Sequence, residues 1–266
     1  MKKSLVWTLA IVITLAPAVY QRMTGPTYPM RGKTMVGDEK VAFKLLRTQD
    51  STADCEVGVA VKSPDISGLL EYKRYKTADN WTRLPMERKE GRLTAFLPKQ
   101  PPAGKLAYRA LLSRQGQEVS LTREKPVIIR FKGPVPDIVL IPHVIIMFLA
   151  MLFATRAGIA ALDRKANPRK FALWTAILLI AGGFILGPII QKLSFGAWWT
   201  GFPLGFDLTD NKTLIALIGW IAALLAGRPG KPARGWVLGA AVLMLVIFMI
   251  PHSLFGSELD YSKMLP

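Results

Sequence analysis

A chain of 266 residues that is 51% hydrophobic and only 20% charged is too apolar for a water-soluble protein of its length. Its formal net charge of +17 invites a nucleic-acid reading. The basic residues gather instead in short loops between apolar stretches, with no RNA-binding aromatic signature, so nucleic acid is excluded as a partner.

In chain order, the first apolar stretch covers 4–20 behind Lys2 and Lys3. It reads as a transmembrane anchor (residues 1–20), or as an export signal with Ala16-Pro17-Ala18 as its small-residue cleavage site. Residues 21–36 hold too much Pro and Gly for a helix and read as a connector. From 37 to 133 the pattern turns to short alternating runs, Val41–Leu46, Glu56–Val61, Leu69–Tyr75, Leu93–Leu97, Leu106–Leu112 and Val127–Phe131, separated by turn residues. That spacing predicts an exported all-β sandwich, with Tyr72, Trp81 and Tyr108 as core aromatics. Cys55 is the single cysteine, so no intrachain disulfide forms; an oxidising compartment is permitted but not required. The stretch from Leu97 through Pro102-Ala103-Gly104-Lys105-Leu106-Ala107-Tyr108 resembles the later strands of fibronectin type III-like domains. The resemblance implies an immunoglobulin-like fold and no particular activity.

Residues 134–266 predict four more spans, at about 136–155, 171–190, 213–227 and 235–252, followed by an external tail. A span needs about 20 apolar residues. The fourth is short and crosses only if Asp210, Asn211 and Lys212 begin its helix in the headgroup layer. The fold class expected is therefore a membrane protein, a five-span α-helical bundle with an inserted, exported all-β sandwich. Orientation follows from charge. Arg156, Arg164, Lys165, Arg169 and Lys170 face one acid, Asp163, in one loop, and Arg228, Lys231 and Arg234 face none in another. Short basic loops stay cytoplasmic. The expected location is a bacterial-type inner membrane, amino terminus inside, β domain and carboxyl terminus outside. Residues 21–133 hold 22 basic and 12 acidic residues, read as a solvated or headgroup-facing surface.

The chemistry-bearing residues converge on the outer side. The only histidines, His143 and His252, each end an Ile-Pro-His triplet where an apolar segment meets a polar one. Ionisable groups at such places are functional candidates, although an interfacial histidine also serves simply by bonding to water or headgroups. Met147 shares the helix face of His143. Between the histidines, Phe195-Gly196-Ala197-Trp198-Trp199 leads to Asp207 and Asp210. Trp198 and Trp199 read equally as belt residues. Gly182, Gly183, Gly187 and Gly219 read as helix-packing residues, and Pro188 as a kink near the outer end of the third span.

This loop and its flanking histidines resemble the heme-handling membrane proteins of cytochrome c maturation, which carry a Trp-rich external loop between histidine ligands. Here Phe195 replaces the first Trp of that pattern, and residues Thr200–Phe206 replace its closing Trp-Asp. The resemblance implies heme held by His143 and His252 against Trp198 and Trp199, with Asp207 or Asp210 orienting an imidazole. The residues themselves leave alternatives open. His143 and His252 with carboxylates such as Asp210 and Glu258 form a possible divalent-metal set, which implies a metal-dependent membrane hydrolase. A non-enzymatic accessory or assembly subunit, binding a protein partner through its β domain and holding no cofactor, fits the sequence as well.

Overall fold

Small residues decide how the helices meet. The structure, a computed structural model, describes residues 2–123, 125–251, 256 and 258–264. Its contacts divide the chain into a helical unit (Met1–Pro26 with Val135–Ser257) and a β unit (Thr27–Pro134 with Glu258–Pro266).

The helical unit holds α1 (Lys3–Thr24), α2 (Asp137–Leu162), α3 (Pro168–Leu179) continued by a π-helical segment (Ile180–Leu186) into α4 (Gly187–Phe195), then α5 (Leu208–Ala226) and α6 (Arg234–Met249). Its interior is rich in alanine: Ala150, Ala154 and Ala157 of α2, Ala172 and Ala176 of α3, Ala216 of α5, and Ala240 and Ala241 of α6 are buried. Large apolar side chains such as Ile138, Ile145, Ile177 and Ile218 point outward. Close backbone approach by small residues, with bulky ones outside, suits a lipid solvent rather than water. At Gly158 an added Cβ would lie 2.8 Å from the Cβ of Ala241. Four helical stretches, Lys3–Thr24, Asp137–Leu162, Pro168–Phe195 and Leu208–Ala226, are long and apolar enough to cross a membrane; α6 has 16 residues.

At the basic-loop end, two arginines close helix C-termini. Arg234 donates to the carbonyls of Ala160, Asp163, Arg164 and Ala166. Arg169 donates to those of Leu224 and Gly227. Part of the loop charge is thus spent on carbonyls that the helices leave unpaired.

The connector expected over 21–36 is mostly regular structure. α1 runs on to Thr24 and β1 begins at Met30, so only residues 25–29 link them. In the β unit, β1 (Met30–Val36) and β2 (Glu39–Leu45) form a two-stranded hairpin. The other strands are β3 (Thr48–Asp50), β4 (Cys55–Ala60), β5 (Ile66–Arg74), β6 (Thr82–Lys89), β7 (Arg92–Leu97), β8 (Lys105–Arg114), β9 (Gln117–Ser120) and β10 (Val127–Lys132). They join in the order β3-β10-β8-β5-β6-β7-β4, with β9 on β8.

The all-β domain expected from the sequence is present, but its main strands form one continuous sheet. β6 pairs with β5 through Met86 and with β7 from Glu87 onward. One strand thereby turns the corner, and the sheet curls over its core as a near-barrel. Leu70, Leu97, Leu106, Tyr108, Leu112, Ile129 and Phe131 fill that core, and Tyr72 packs at its edge. Trp81, expected inside, instead lies under the Arg109 guanidinium at 4.1 Å.

Burial pushes the Cys55 thiol up to about 11. At pH 8 about one thiol in a thousand is then the reactive thiolate, and its side chain is shut from solvent. Maleimide should leave Cys55 unmodified in the native protein and label it stoichiometrically in denaturant; rapid native labelling, read by intact mass, would contradict the buried position.

Residues 258–261 of the tail are pinned to the β unit. Leu259 donates its amide to Ala103. The Tyr261 hydroxyl donates to Gln100 Oε1 at 3.0 Å and accepts the Lys105 amide at 3.0 Å. Glu258 takes Lys76 on one oxygen and Lys105 on the other, each at 2.7 Å. Burial works to raise the Glu258 carboxyl, but the bonds from Lys105 and Lys76 outweigh it and hold the group below its ordinary value. A depressed carboxylate contributes stability that is present above its unfolded pKa and lost as pH falls through the folded one. Exchange protection at the Leu259 amide should therefore fall, relative to the core strands, as pH drops below about 4. Equal protection at pH 6 and pH 3 would remove Glu258 as the clasp.

Candidate functional site

At the end of the helical unit opposite the arginine caps, α2, the π segment, α4 and α5 bring polar groups together. The π segment runs into Gly187 and Pro188, the first two residues of α4, and Pro188 lacks an N–H. Gly187 reaches back five residues to the Gly182 carbonyl. The departure from α-helix that Pro188 was expected to impose is thus a seven-residue widened turn. Widened turns of this kind recur at functional positions.

His143 meets that turn. Its Nδ1 lies 3.0 Å from the Gly182 carbonyl oxygen. A carbonyl can only accept, so Nδ1 carries the proton and a neutral ring keeps its lone pair on Nε2. A backbone partner on one ring nitrogen is the usual way a protein orients the other for ligation. An added Cβ at Gly182 would lie 2.7 Å from the Met147 sulfur, so Met147 and His143 do share one face of α2.

The loop between α4 and α5 is folded tightly upon itself. Gly196 closes α4 in a left-handed conformation, φ +86°, and its amide bonds to Lys192. Asp210 Oδ2 accepts the Thr200 amide at 2.7 Å and its hydroxyl at 3.2 Å. Gln191 donates to that hydroxyl, and Asn211 Oδ1 accepts the Phe202 amide at 2.6 Å. Asp207 caps α5 by accepting the Thr209 amide. Gly201 has no room for a side chain, since an added Cβ would stand 2.6 Å from the Cβ of Asp210.

These bonds show how several sequence candidates are engaged. Asp207 and Asp210 shape the loop and the start of α5. Trp199 stacks on Phe184 at 5.5 Å and 25° and donates its indole N–H to the Phe202 carbonyl, so one ring face is already filled from within. Trp198 is exposed, with Phe202, Leu204 and Phe206, the last two 77% and 89% exposed. Glu258 belongs to the β unit. His252 lies outside the described residues. Among the described residues, no three His, Cys, Asp or Glu side chains gather closely enough to hold a metal ion.

Lys212 is the residue that sequence reasoning treated only as a helix start. It is 2% exposed, and its Nζ donates to the Ile250 carbonyl at 2.8 Å. Gln21 of α1 donates to the same oxygen at 3.0 Å. One carbonyl, two residues before His252, thus ties α1 and α5 to the end of α6. The signal was a lysine one turn inside an apolar helix, where an unpaired charge is costly. Comparison of the chain with protein-family models, curated proteins and solved structures gives no match.

Proposed function

We propose that this chain is an accessory or assembly subunit of a membrane complex, with five spans, its amino terminus inside, and its β unit and tail on the outer face of a bacterial-type inner membrane. The chain's route supports five crossings. The β unit lies in sequence between α1 and α2, and the chain from Glu258 on belongs to that same unit. An odd number of crossings from α1 through α6 puts both on one side. The charge of the 156–170 and 228–234 loops sets which side. The β unit is read as fibronectin type III or immunoglobulin-like, supported by parallel pairing of β3 with β10 beside the antiparallel order β10-β8-β5-β6.

One observation carries the partner-binding role. The loop after α4 spends its polar groups inward on its own frame and holds Trp198, Phe202, Leu204 and Phe206 outward. A preorganised loop presenting large apolar side chains is built for recognition. Changing these four residues to serine should abolish co-purification of a larger complex in mild detergent while leaving the thermal transition of the chain in place. An unchanged complex would reduce the four to interfacial belt residues.

A second reading, an outer heme or redox-associated site, is favoured by His143, whose bond to Gly182 leaves Nε2 free to ligate. The fit is partial: the loop carboxylates are already engaged and Trp199 is stacked internally. Bound heme would supply electron-transfer or heme-delivery chemistry, and the chain would contribute an oriented imidazole. Expression with ample heme should give a Soret band that His143→Ala removes; no band in either protein ends this reading.

A further inference from the structure

The β1–β2 hairpin presents a cationic face that the fold does not neutralise. In its register Arg31 stands opposite Lys44, Lys33 opposite Ala42, and Met35 opposite Lys40. All six are exposed on one face, while Val36, Val41 and Leu45 from the other face are buried in the β core. Like charges directly across a strand pair repel, yet this face holds four basic residues and no acid.

The nearby acids are committed elsewhere. Asp38 pairs with Arg114, and Glu39 accepts the backbone amides of Lys62 and Ser63. Among the described residues none of Arg31, Lys33, Lys40 or Lys44 has an ion-pair partner; Arg31 lies 5.9 Å over the Tyr28 ring. A repulsive face kept free of internal counter-charge is complementary to an anion supplied from outside.

We infer that this face binds the anionic phosphate headgroups of the outer leaflet. The inference rests on the five-span reading, which puts the end of α1 at that leaflet. Only residues 25–29 separate α1 from β1, a tether whose full extension is on the order of 20 Å. The Arg31–Lys44 pair lies at the tethered end of the hairpin. Juxtamembrane basic clusters are drawn to anionic lipid, with a reach set by the Debye length, about 8 Å at physiological salt. Met35, exposed among the cations, adds an apolar contact.

The test reconstitutes the full chain in phosphatidylcholine vesicles with and without phosphatidylglycerol. An impermeant amine-acetylating reagent is read by peptide mass at Lys33, Lys40 and Lys44, with Lys62 and Lys99 as internal references. Phosphatidylglycerol should slow labelling of the hairpin lysines several-fold relative to the references, and high salt should restore it. Equal labelling in both lipids overturns the proposal. So does equal protection by inorganic phosphate in phosphatidylcholine, which would make the ligand a free anion, or salt-insensitive protection in both lipids, which would mean a covering protein surface. A chain stripped from the vesicles by alkaline carbonate defeats the membrane reading itself, whereas a retained chain with unchanged labelling defeats only this proposal.

Discussion

Tyr108→Ala is expected to destabilise the β unit by about 3–5 kcal/mol, the cost of deleting a buried aromatic ring. The ring is wholly buried on β8, and its hydroxyl donates to the Leu46 carbonyl at 2.7 Å, where the chain passes from β2 to β3. Burial pushes the phenol above its ordinary value, so it remains a donor across the working pH range. Truncation therefore opens a cavity and leaves a carbonyl without its partner. Tyr108→Phe separates the two effects, since it keeps the ring and loses only the bond, at about 1–3 kcal/mol. Cys55 belongs to the same core and reports the opening. If opening and reclosing are fast, Tyr108→Ala should raise the maleimide rate at Cys55 by about two to four orders of magnitude, at one order per 1.4 kcal/mol. A change below tenfold would mean that the ring contributes little to holding the core closed.

How far the sequence could be read depended on whether a feature was local. Apolar length anticipated where the helical stretches lie but not their ends, since α2 runs seven residues past the expected 155 and α4 ends five past 190; a helix satisfies its own backbone, so it continues beyond its most apolar run. The runs over β2, β4 and β7 alternate because each buries, wholly or in part, every second residue, whereas β5, β8 and β10 were found by their apolar residues although they bury neighbours on both faces. β6 was invisible: Thr82–Lys89 is charged at half its positions and has a single buried residue, Met86. β1 was hidden because basic residues alternate with small or partly buried ones, a pattern that looks like a linker when taken alone. The sequence reading began this helix at Asp210, Asn211 and Lys212, whereas α5 starts at Leu208 behind Asp207, and the roles of the two aspartates were not legible. A carboxylate that orients a ligand and one that holds a loop amide carry the same letter, and only the partner distinguishes them. Lys212 and Tyr261 fall in this class as well. Each acts through a carbonyl or amide far away in sequence, Ile250 for one and Lys105 for the other, and no spacing rule reaches that distance.

Gly183→Leu is expected to disrupt the helical unit at the place where His143 is held. An added Cβ at Gly183 would lie 2.5 Å from Thr213 Cγ2, and Thr213 cannot easily turn away because its hydroxyl donates to the Thr209 carbonyl at 3.0 Å. The widened turn must then shift away from α5. Overpacking of this sort costs about 1–3 kcal/mol, and more for a side chain as large as leucine. The shift should also disturb the neighbouring Gly182 carbonyl, which holds the His143 ring. The nitrogen spectrum of a chain with His143 as its sole histidine should show one Nδ1-protonated neutral species in the parent and a mixture of tautomers in the variant. Gly183→Ala should show a weaker form of both effects. Combining it with Thr213→Ser, which removes Cγ2 but keeps the hydroxyl bond, should recover most of the thermal stability and the single tautomer, because the two changes exchange one methyl across the same contact. If the double variant is no better than Gly183→Ala alone, the α5 contact is not what fixes the turn. The orientation of His143 would then depend on α2 and the π segment by themselves.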